Sequence, residues 1–387
     1  MIKILIHDYA GHPFTTKLSD LLSQNGYEVI HSYFADDIGP KGKMQSDNFK
    51  FVGIRNKEPY DKGNFIKRYF GDIEYGKSLS ALIKNEKPDF IFSSNTPPDA
   101  QKFAIDAAKQ VNSKFIFWVQ DLYSEAVPNI LKKKLGFIGS LIGLYYKNLE
   151  RKLLKDSDSI IVISEDFLSV LEDMNLNLDN VHVIENWGIV DSSELHGKSN
   201  KWSAENNLDP EKFRVLYSGT LGFKHNPDHL IRLARNFKEI EFLIIASGVG
   251  FEYLKKNNLP SNILLMDLQP FERFAEVLSS SDICIALLED DAGIYSVPSK
   301  VLSYLCAGKP ILMHGPKENL ASRNIDKNKC GLISSPKNFK ELEKNLSSMI
   351  QGDSIKSMSS NAKDYADKNF SAKSIEEKFK SIIKKYT

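Results

Sequence analysis

Runs of consecutive apolar residues recur along this chain and alternate with stretches in which apolar residues return every third or fourth position. The first run, residues 2–6, reads IKILI and is typical of a strand buried on both faces of a sheet. The stretch that follows places Phe14, Leu18 and Leu22 on one face of a helix. Strands that alternate with such helices predict a parallel, doubly wound α/β sheet.

The apolar runs fall into two groups. The first group predicts strands at 2–6, 27–34, 89–93, 115–119 and 159–164. The second group predicts strands at 213–218, 241–247, 262–266, 282–288 and 310–315. Residues 36–75 are interpreted as a long loop or irregular insertion, and only helices are expected after residue 335.

A chain of 387 residues is too long for one ordinary core, so two domains are expected. We predict a Rossmann-like domain over 1–190, a polar linker over 191–212 and a second Rossmann-like domain over 213–369. The helix at about 370–387 is expected to pack back on the first domain. The parallel sheets of the two domains are expected to face a cleft.

Composition excludes several classes of protein. The chain is 42% hydrophobic and 26% charged, as in ordinary soluble proteins, and its net charge of +1 provides no overall attraction for nucleic acid. Cys284, Cys306 and Cys330 are isolated, which favours a reducing compartment and excludes a zinc-type spacing. The first residues lack a signal-peptide layout, and the uncharged run 135–146 is too short to span a bilayer. A cytoplasmic location is therefore expected.

A glycine-rich loop follows the predicted strand 213–218 and reads SGTLGFKHNP. Gly219 allows close approach of the backbone to a ligand, and Thr220, Lys224 and His225 follow in the same loop. Lys224 and His225 could reach a diphosphate or a leaving oxygen. The alternative is a solvated basic loop.

A second loop of this kind, SVPSK, follows the predicted strand 282–288. Pro298 opens a helix, so that Ser299 and Lys300 lie in its first turn. A lysine there is unfavourable against the helix dipole unless an anion is bound. The alternative is a lysine that points into solvent, but two such loops at the carboxyl ends of one sheet predict a site for a nucleotide diphosphate.

Candidate residues of the first domain also follow strands. Gly11 and His12 come after the first strand, and Gln120 and Asp121 come after the strand at 115–119. His12 is either catalytic or structural. Asp121 is an acid or base, a ligand of an acceptor hydroxyl, or a helix cap.

Two further patterns are interpreted as non-functional. The acidic run 289–291 ends a strand but lacks a partner carboxylate, so a solvated loop is favoured over a metal site. Gly248 and Gly250 do not complete a dinucleotide fingerprint, so no NAD site is expected.

A basic and apolar segment spans residues 130–147. Lys132, Lys133 and Lys134 precede the apolar residues Phe137, Ile138, Leu141, Ile142 and Leu144, and residues 60–70 have a similar mixture. Such a segment can lie on an anionic membrane surface. The alternative is a helix that is packed into the core.

Six motifs together resemble family 4 glycosyltransferases of GT-B fold, and more narrowly the WbuB-like branch of bacterial O-antigen and capsule synthesis. They are DYAGHPF (8–14), PDFIFSSNTPPDAQ (88–101), FWVQDLYSEA (117–126), VIENWG (183–188), LYSGTLGFKHNP (216–227) and SVPSKVLSYLCAGKPIL (296–312). The resemblance covers almost the whole chain. It implies a metal-independent enzyme without a cofactor that transfers a sugar with retention. The nucleotide sugar is expected to bind mainly at the C-terminal domain, and the acceptor mainly at the N-terminal domain.

The resemblance also implies roles for individual residues. Gly11 is similar to the family's loop near the diphosphate, and Gln120 stands where many members have a histidine that contacts the donor sugar. Thr220 replaces the family's arginine, and Lys224 or His225 takes the place of its lysine. The usual Glu-x7-Glu pattern is absent, because its positions hold Tyr295 and Ser303. This departure leaves the ribose contact unassigned and makes Lys300 a stronger candidate.

The resemblance implies a UDP-linked donor, with N-acetyl-L-fucosamine as the expected sugar, and an undecaprenyl-diphosphate-linked saccharide as the acceptor. It places the enzyme on the inner face of the cytoplasmic membrane. Two alternatives share the architecture: a sugar-nucleotide 2-epimerase, and a non-catalytic subunit of a glycosyltransferase complex.

Overall fold

The structure is a computed structural model that describes residues 1–36, 49–58, 65–190, 194–222, 225–290 and 298–387, with the side chains of 65 and 125–135 left out. The chain divides into two compact units. Unit 1 comprises Met1–Glu185 and Ile375–Thr387, and unit 2 comprises Asn186–Ser374.

Unit 1 contains a seven-stranded parallel sheet in the order β3-β2-β1-β4-β5-β6-β7. Its strands are β1 (Lys3–Asp8), β2 (Glu28–Phe34), β3 (Lys50–Ile54), β4 (Phe90–Ser94), β5 (Lys114–Val119), β6 (Ser159–Val162) and β7 (Val181–Val183). The helices between them are α1 (Pro13–Gln24), α2 (Phe65–Glu86), α3 (Pro98–Gln110), α4 (Tyr123–Lys155) and α5 (Asp166–Asp173). The central strands β1, β4, β5 and β6 are buried along their length, apart from the first residue of β1 and of β5, as their apolar runs predict.

Unit 2 contains a six-stranded parallel sheet in the order β10-β9-β8-β11-β12-β13. Its strands are β8 (Arg214–Thr220), β9 (Glu241–Ser247), β10 (Ile263–Asp267), β11 (Ile283–Leu287), β12 (Ile311–His314) and β13 (Gly331–Ser334). Its helices are α6 (Lys201–Glu205), α7 (Asp228–Asn236), α8 (Val249–Lys256), α9 (Phe274–Ser279), α10 (Ser299–Cys306), α11 (Leu320–Lys327), α12 (Phe339–Gln351) and α13 (Ser354–Phe370). The prediction of two doubly wound Rossmann-like sheets is confirmed.

The last helix, α14 (Ala372–Lys384), returns the chain to unit 1. Phe379 is fully buried and its ring lies 5.4 Å from that of Phe92 and 5.1 Å from that of Trp118. Near the C-terminus, the Tyr386 hydroxyl lies 2.9 Å from the Ser159 hydroxyl. Aromatic packing and this polar contact therefore fix the end of the chain against the sheet of unit 1.

Three strands escaped the pattern analysis, and each lies at the edge of a sheet. They are β3, β7 and β13, and none of them is continuously buried. An edge strand loses one neighbouring surface, so its sequence need not be apolar throughout. The interpretation of 36–75 as irregular was accordingly wrong for β3 and for the beginning of α2, whose first turns are exposed.

The segment predicted as a linker contributes to unit 2. Trp202 of α6 is 2% exposed, and its indole N–H donates to the side-chain oxygen of Gln269 at 3.0 Å. Asn200 and Ser203 form a capping box at the start of α6. Burial of this tryptophan and its hydrogen bond help to attach the otherwise polar stretch to unit 2.

Candidate functional site

The two sheets place their candidate site residues at equivalent positions. In unit 1, β1 lies between β2 and β4, and in unit 2, β8 lies between β9 and β11. At both positions the chain order of the strands reverses, and ligands of open α/β sheets bind in the crevice beyond the carboxyl ends at such a point. The predicted site residues Gly11, His12, Gly219 and Thr220 follow or end these central strands.

In unit 2, Lys300 is held against the carboxyl end of β8. Its ammonium group contacts the Tyr217 hydroxyl oxygen, donates to the carbonyl oxygen of Thr220 at 3.2 Å, and lies 3.7 Å from the centre of the Tyr217 ring. Gly219 has φ of 109° and lies beside the same lysine side chain. The structure therefore brings Gly219, Thr220 and Lys300 together, although the sequence separates them by about eighty positions.

Tyr217 supports this lysine and was missed by the sequence analysis. Burial raises its pKa, so the phenol keeps its proton and donates it to the carbonyl oxygen of Thr220 at 2.8 Å. The phenol oxygen of Tyr217 in turn accepts a hydrogen bond from Lys300. The aromatic ring also attracts the ammonium group through its π face. From the sequence alone, Tyr217 is predicted to be a core residue of a strand. Its contact with Lys300 depends on the packing of α10, which the sequence pattern does not show.

The other predicted donor residues occupy different environments. Ser299 is exposed at the first position of α10, after Pro298, whereas Ser303 is 6% exposed one turn later. His225 is also 6% exposed, and its Nδ1 accepts from the Gly222 N–H at 2.9 Å, so this ring closes its own loop. Lys224 lies outside the described residues.

The acidic run after β11 contacts basic side chains. Glu289 lies 3.4 Å from the Nε2 of His229, and Asp290 forms an ion pair with Lys337 at 2.6 Å. Asp291 lies outside the described residues. Within the described ranges, the structure contains no group of three His, Cys, Asp or Glu side chains that could hold a metal ion.

In unit 1, a buried carboxylate organises the loop between β1 and α1. Asp8 is fully buried at the end of β1 and accepts from the His12 N–H at 2.6 Å and from the Thr15 hydroxyl at 2.9 Å. From the neighbouring strand, the Asn95 side-chain amide donates to its other oxygen at 2.7 Å. Asp8 and Asn95 were missed, although the spacing of an aspartate four residues before a histidine was visible.

Gln120 and Asp121 follow β5, the strand next to β4. Gln120 is 9% exposed, whereas Asp121 is exposed. The first amides of α4 are capped by Glu150, which accepts from Tyr123 and Ser124 at 2.9 and 2.8 Å. Glu150 therefore caps these two amides, and the role of Asp121 stays a prediction.

The apolar segment of α4 lies on the surface. Helix α4 is interrupted at Gly136, which has φ of 55°, and after it Phe137 is 78% and Ile138 is 64% exposed. Leu141 and Leu144 are also more than half exposed, and Ile142 is half-buried. The alternative of a helix sealed in the core therefore does not hold for these residues. The side chains of Lys132, Lys133 and Lys134 lie outside the described part of α4.

Two family models match this chain, and both describe glycosyltransferases. Residues 14–187 match the family model of Glycosyltransferase Family 4, and residues 198–369 match that of Glycosyl transferases group 1. No curated protein sequence matches the chain.

Several solved structures share the fold. A sucrose-phosphate synthase from Thermosynechococcus elongatus is 13% identical, with a TM-score of 0.77 and coverage of 100% of this chain and 99% of that chain. HepE from Anabaena in complex with UDP-glucose is 13% identical, with a TM-score of 0.73 and coverage of 100% of both chains. A putative UDP-N-acetylglucosamine 2-epimerase from Listeria monocytogenes is 12% identical, with a TM-score of 0.63 and coverage of 100% of this chain and 98% of that chain.

Two parallel doubly wound sheets and these two domain matches define a glycosyltransferase of GT-B type. The chain belongs to the glycosyltransferases that combine a family 4 domain with a group 1 domain. Its assignment to the WbuB-like branch stays a prediction.

Proposed function

We propose that this glycosyltransferase moves a sugar, with retention, from a UDP-linked donor to an undecaprenyl-diphosphate-linked saccharide. The observation that carries the proposal is the position of Lys300 beside Gly219 and Thr220 at the end of β8. An ammonium group next to a glycine backbone suits a diphosphate. The UDP-glucose complex of HepE supports a nucleotide-sugar donor of this kind. The sugar we propose is N-acetyl-L-fucosamine, in O-antigen or capsule synthesis.

The direct test is a panel of nucleotide sugars incubated with an undecaprenyl-diphosphate saccharide. We expect one UDP-sugar to give a product whose mass increases by a single sugar residue, and the anomeric configuration of the donor to be kept in the product. Each donor is also incubated without acceptor. Interconversion of the UDP-sugar in that sample, with no glycosylated product, would instead assign the 2-epimerase activity.

Metal dependence is a separate prediction. We propose that lysine and the N-terminus of α10 stabilise the leaving diphosphate in place of a cation. Activity should therefore survive EDTA, measured as the initial rate of UDP release before and after dialysis against chelator. A strict requirement for Mg²⁺ or Mn²⁺ would contradict this and would make Glu289, Asp290 and Asp291 candidate metal ligands.

We also propose peripheral attachment to the inner face of the cytoplasmic membrane through α4. Two observations support it: Phe137, Ile138 and Leu141 are exposed, and no helix in the described part of the chain is long and apolar enough to cross a bilayer. The first turns of α2 add two exposed apolar side chains, Ile66 at 71% and Phe70 at 63%. Apolar side chains beside a basic run suit the boundary between anionic headgroups and acyl chains.

Reversing the charge of Lys132, Lys133 and Lys134 to glutamate tests this attachment. Each basic residue near an anionic surface contributes about 1 kcal/mol, so flotation with anionic liposomes should fall by at least about tenfold. Flotation of the wild type should also weaken as salt is raised, because the attraction is screened.

The matched control reverses Lys327, Lys340 and Lys344, which are exposed on unit 2. It changes the net charge equally and should float like the wild type. Equal flotation of all three proteins, or none by any of them, would reject α4 as the membrane contact.

A further inference from the structure

The carboxylate of Asp8 and the imidazole of His12 form a pair at the end of β1. The Nδ1 of His12 lies 3.2 Å from Oδ2 of Asp8, and the His12 side chain is 39% exposed whereas that of Asp8 is fully buried. The pair therefore joins a buried carboxylate to a ring that solvent can reach. It lies at the point of the unit 1 sheet where the strand order reverses.

Asp8 is held as a carboxylate. Burial on its own would raise its pKa, but His12 and the hydrogen bonds from His12 and Asn95 outweigh burial and hold the pKa well below its usual range. An ionised carboxylate is only an acceptor, so a ring nitrogen that contacts it must carry a proton. This contact therefore places a proton on Nδ1 of His12.

The hydrogen bonds of Asn95 exclude the alternative in which Nδ1 of His12 is unprotonated and acts as an acceptor. Its amide nitrogen lies 3.4 Å from the same Nδ1, which could suggest that the ring accepts from the amide. However, that amide donates to Asp8 at 2.7 Å and to the Ser94 hydroxyl at 3.1 Å, and it has only two hydrogens. Asn95 reaches this position with φ of 55°, a left-handed conformation that asparagine tolerates better than most residues.

Three titratable groups near the pair, among the residues that the structure describes, are uncharged at neutral pH. Burial lowers the pKa values of His7 on β1 and His31 on β2 to about 4, and burial raises that of Tyr75 on α2 well above its usual value. The ring of His12 therefore meets one full charge from these groups, that of Asp8.

We propose that Asp8 is a positioning residue that keeps the proton of His12 on Nδ1, so that Nε2 accepts a hydrogen bond from a hydroxyl of the saccharide substrate. The inference rests on the proposed function and on the expectation, implied by the family resemblance, that the N-terminal domain binds the acceptor. The competing explanation is that Asp8 only closes the loop, through its bonds to the His12 N–H and to Thr15. Loop closure does not require a particular tautomer of His12, whereas substrate recognition through Nε2 does.

The tautomer is measured by ¹⁵N NMR of the full chain labelled at histidine, with His12→Gln to assign the signal. Above the pH at which the ring titrates, we expect a protonated Nδ1 and an unprotonated Nε2. Asp8→Ala should populate the other tautomer, and Asp8→Asn, which keeps an oxygen but loses the charge, should have an intermediate effect. A protonated Nε2 in the wild type, or an unchanged tautomer in Asp8→Ala, would overturn the proposal.

The matched control is Asp158→Asn. Asp158 also accepts from a backbone amide, that of Phe115, and forms an ion pair with Lys114. However, it lies at the amino ends of the strands, whereas Asp8 lies at the carboxyl ends. Its replacement should leave the His12 signal and the acceptor kinetics unchanged. It also measures how much stability unit 1 loses when a carboxylate is removed.

Steady-state kinetics distinguish the two possible roles of Asp8, positioning of His12 and closure of the loop. Asp8→Ala and His12→Ala should each lower kcat/KM for the acceptor by about tenfold, the effect of losing one hydrogen bond to the substrate, with UDP affinity retained. The double variant should lose no more than the single ones, because the two residues act as a unit. Losses that multiply would overturn the proposal, since Asp8 would then act independently of His12.

The pH dependence of kcat/KM is a further test, because a role of Asp8 in loop closure alone would not change it. Removing the negative charge makes the imidazolium less favourable, so the acid limb of kcat/KM should shift to lower pH in Asp8→Asn. An unshifted limb would contradict the proposal. If Asp8→Ala does not fold, Asp8→Asn and the wild-type NMR signal decide the question. A wild type without transferase activity would refute the proposed function, and NMR would still decide the pairing.

Discussion

Replacing Lys300 with alanine should lower the affinity for UDP by about 10- to 150-fold, because a hydrogen bond to a charged group contributes about 1.5–3 kcal/mol. The donor KM should rise correspondingly. The structure supports this expectation by holding the ammonium group between the Tyr217 hydroxyl and the carbonyl oxygen of Thr220. Isothermal titration with UDP and initial rates at varied donor concentration measure the two effects.

Two further variants sharpen this prediction. Tyr217→Phe keeps the ring but removes the oxygen that contacts Lys300, and should cost about 1 kcal/mol, or roughly a fivefold loss of UDP affinity. Lys344→Ala removes an exposed lysine of α12 and should have no effect. Unchanged affinity and turnover in Lys300→Ala would remove this residue from the donor site. Lys224→Ala is expected to behave like Lys300→Ala.

The second large effect is loss of stability in mild acid. Burial lowers the pKa of His7, His31 and His314 to about 4, compared with 6.5 for an unperturbed histidine. The unfolded chain therefore binds protons at these positions before the folded chain does. Stability is fully present above about pH 6.5, falls as the pH decreases towards 4, and loses about 1.4 kcal/mol per pH unit for each histidine in this window.

Urea unfolding at pH 7, 6 and 5, followed by circular dichroism, measures this loss. The transition of the wild type should move to lower urea at each step. His31→Asn keeps a polar partner for Ser19, whose hydroxyl lies 2.8 Å from the ring, but removes one titrating group. Its unfolding should depend less steeply on pH, and equal slopes in both proteins would contradict the assignment.

The apolar periodicity determined the architecture of this protein. Ten strands were located from sequence because a strand that is covered on both faces must be apolar along its length. Three of the four edge strands, β3, β7 and β13, were missed, since one of their sides has no neighbour and their sequences are short or mixed. The fourth, β10, was located because its sequence ILLM is a continuous apolar run. Trp202 was placed in a linker for a related reason: a single buried side chain leaves no periodic signal.

The identity of the site residues was predictable in part. Glycine, lysine and proline after a strand indicate a ligand site through local backbone chemistry, which is why Gly219 and Lys300 could be singled out. Such local rules state which loop a residue belongs to. They do not state which other loop it meets.

Only the tertiary structure decided those partnerships. Lys300 contacts Tyr217 because α10 packs beside the end of β8, and Asn95 reaches Asp8 because β4 pairs with β1 in register. Similarly, the ring of His225 accepts a hydrogen bond from the Gly222 N–H, a contact that its sequence did not predict. Distances between residues remote in the chain depend on strand order and helix packing, and one-dimensional periodicity contains neither.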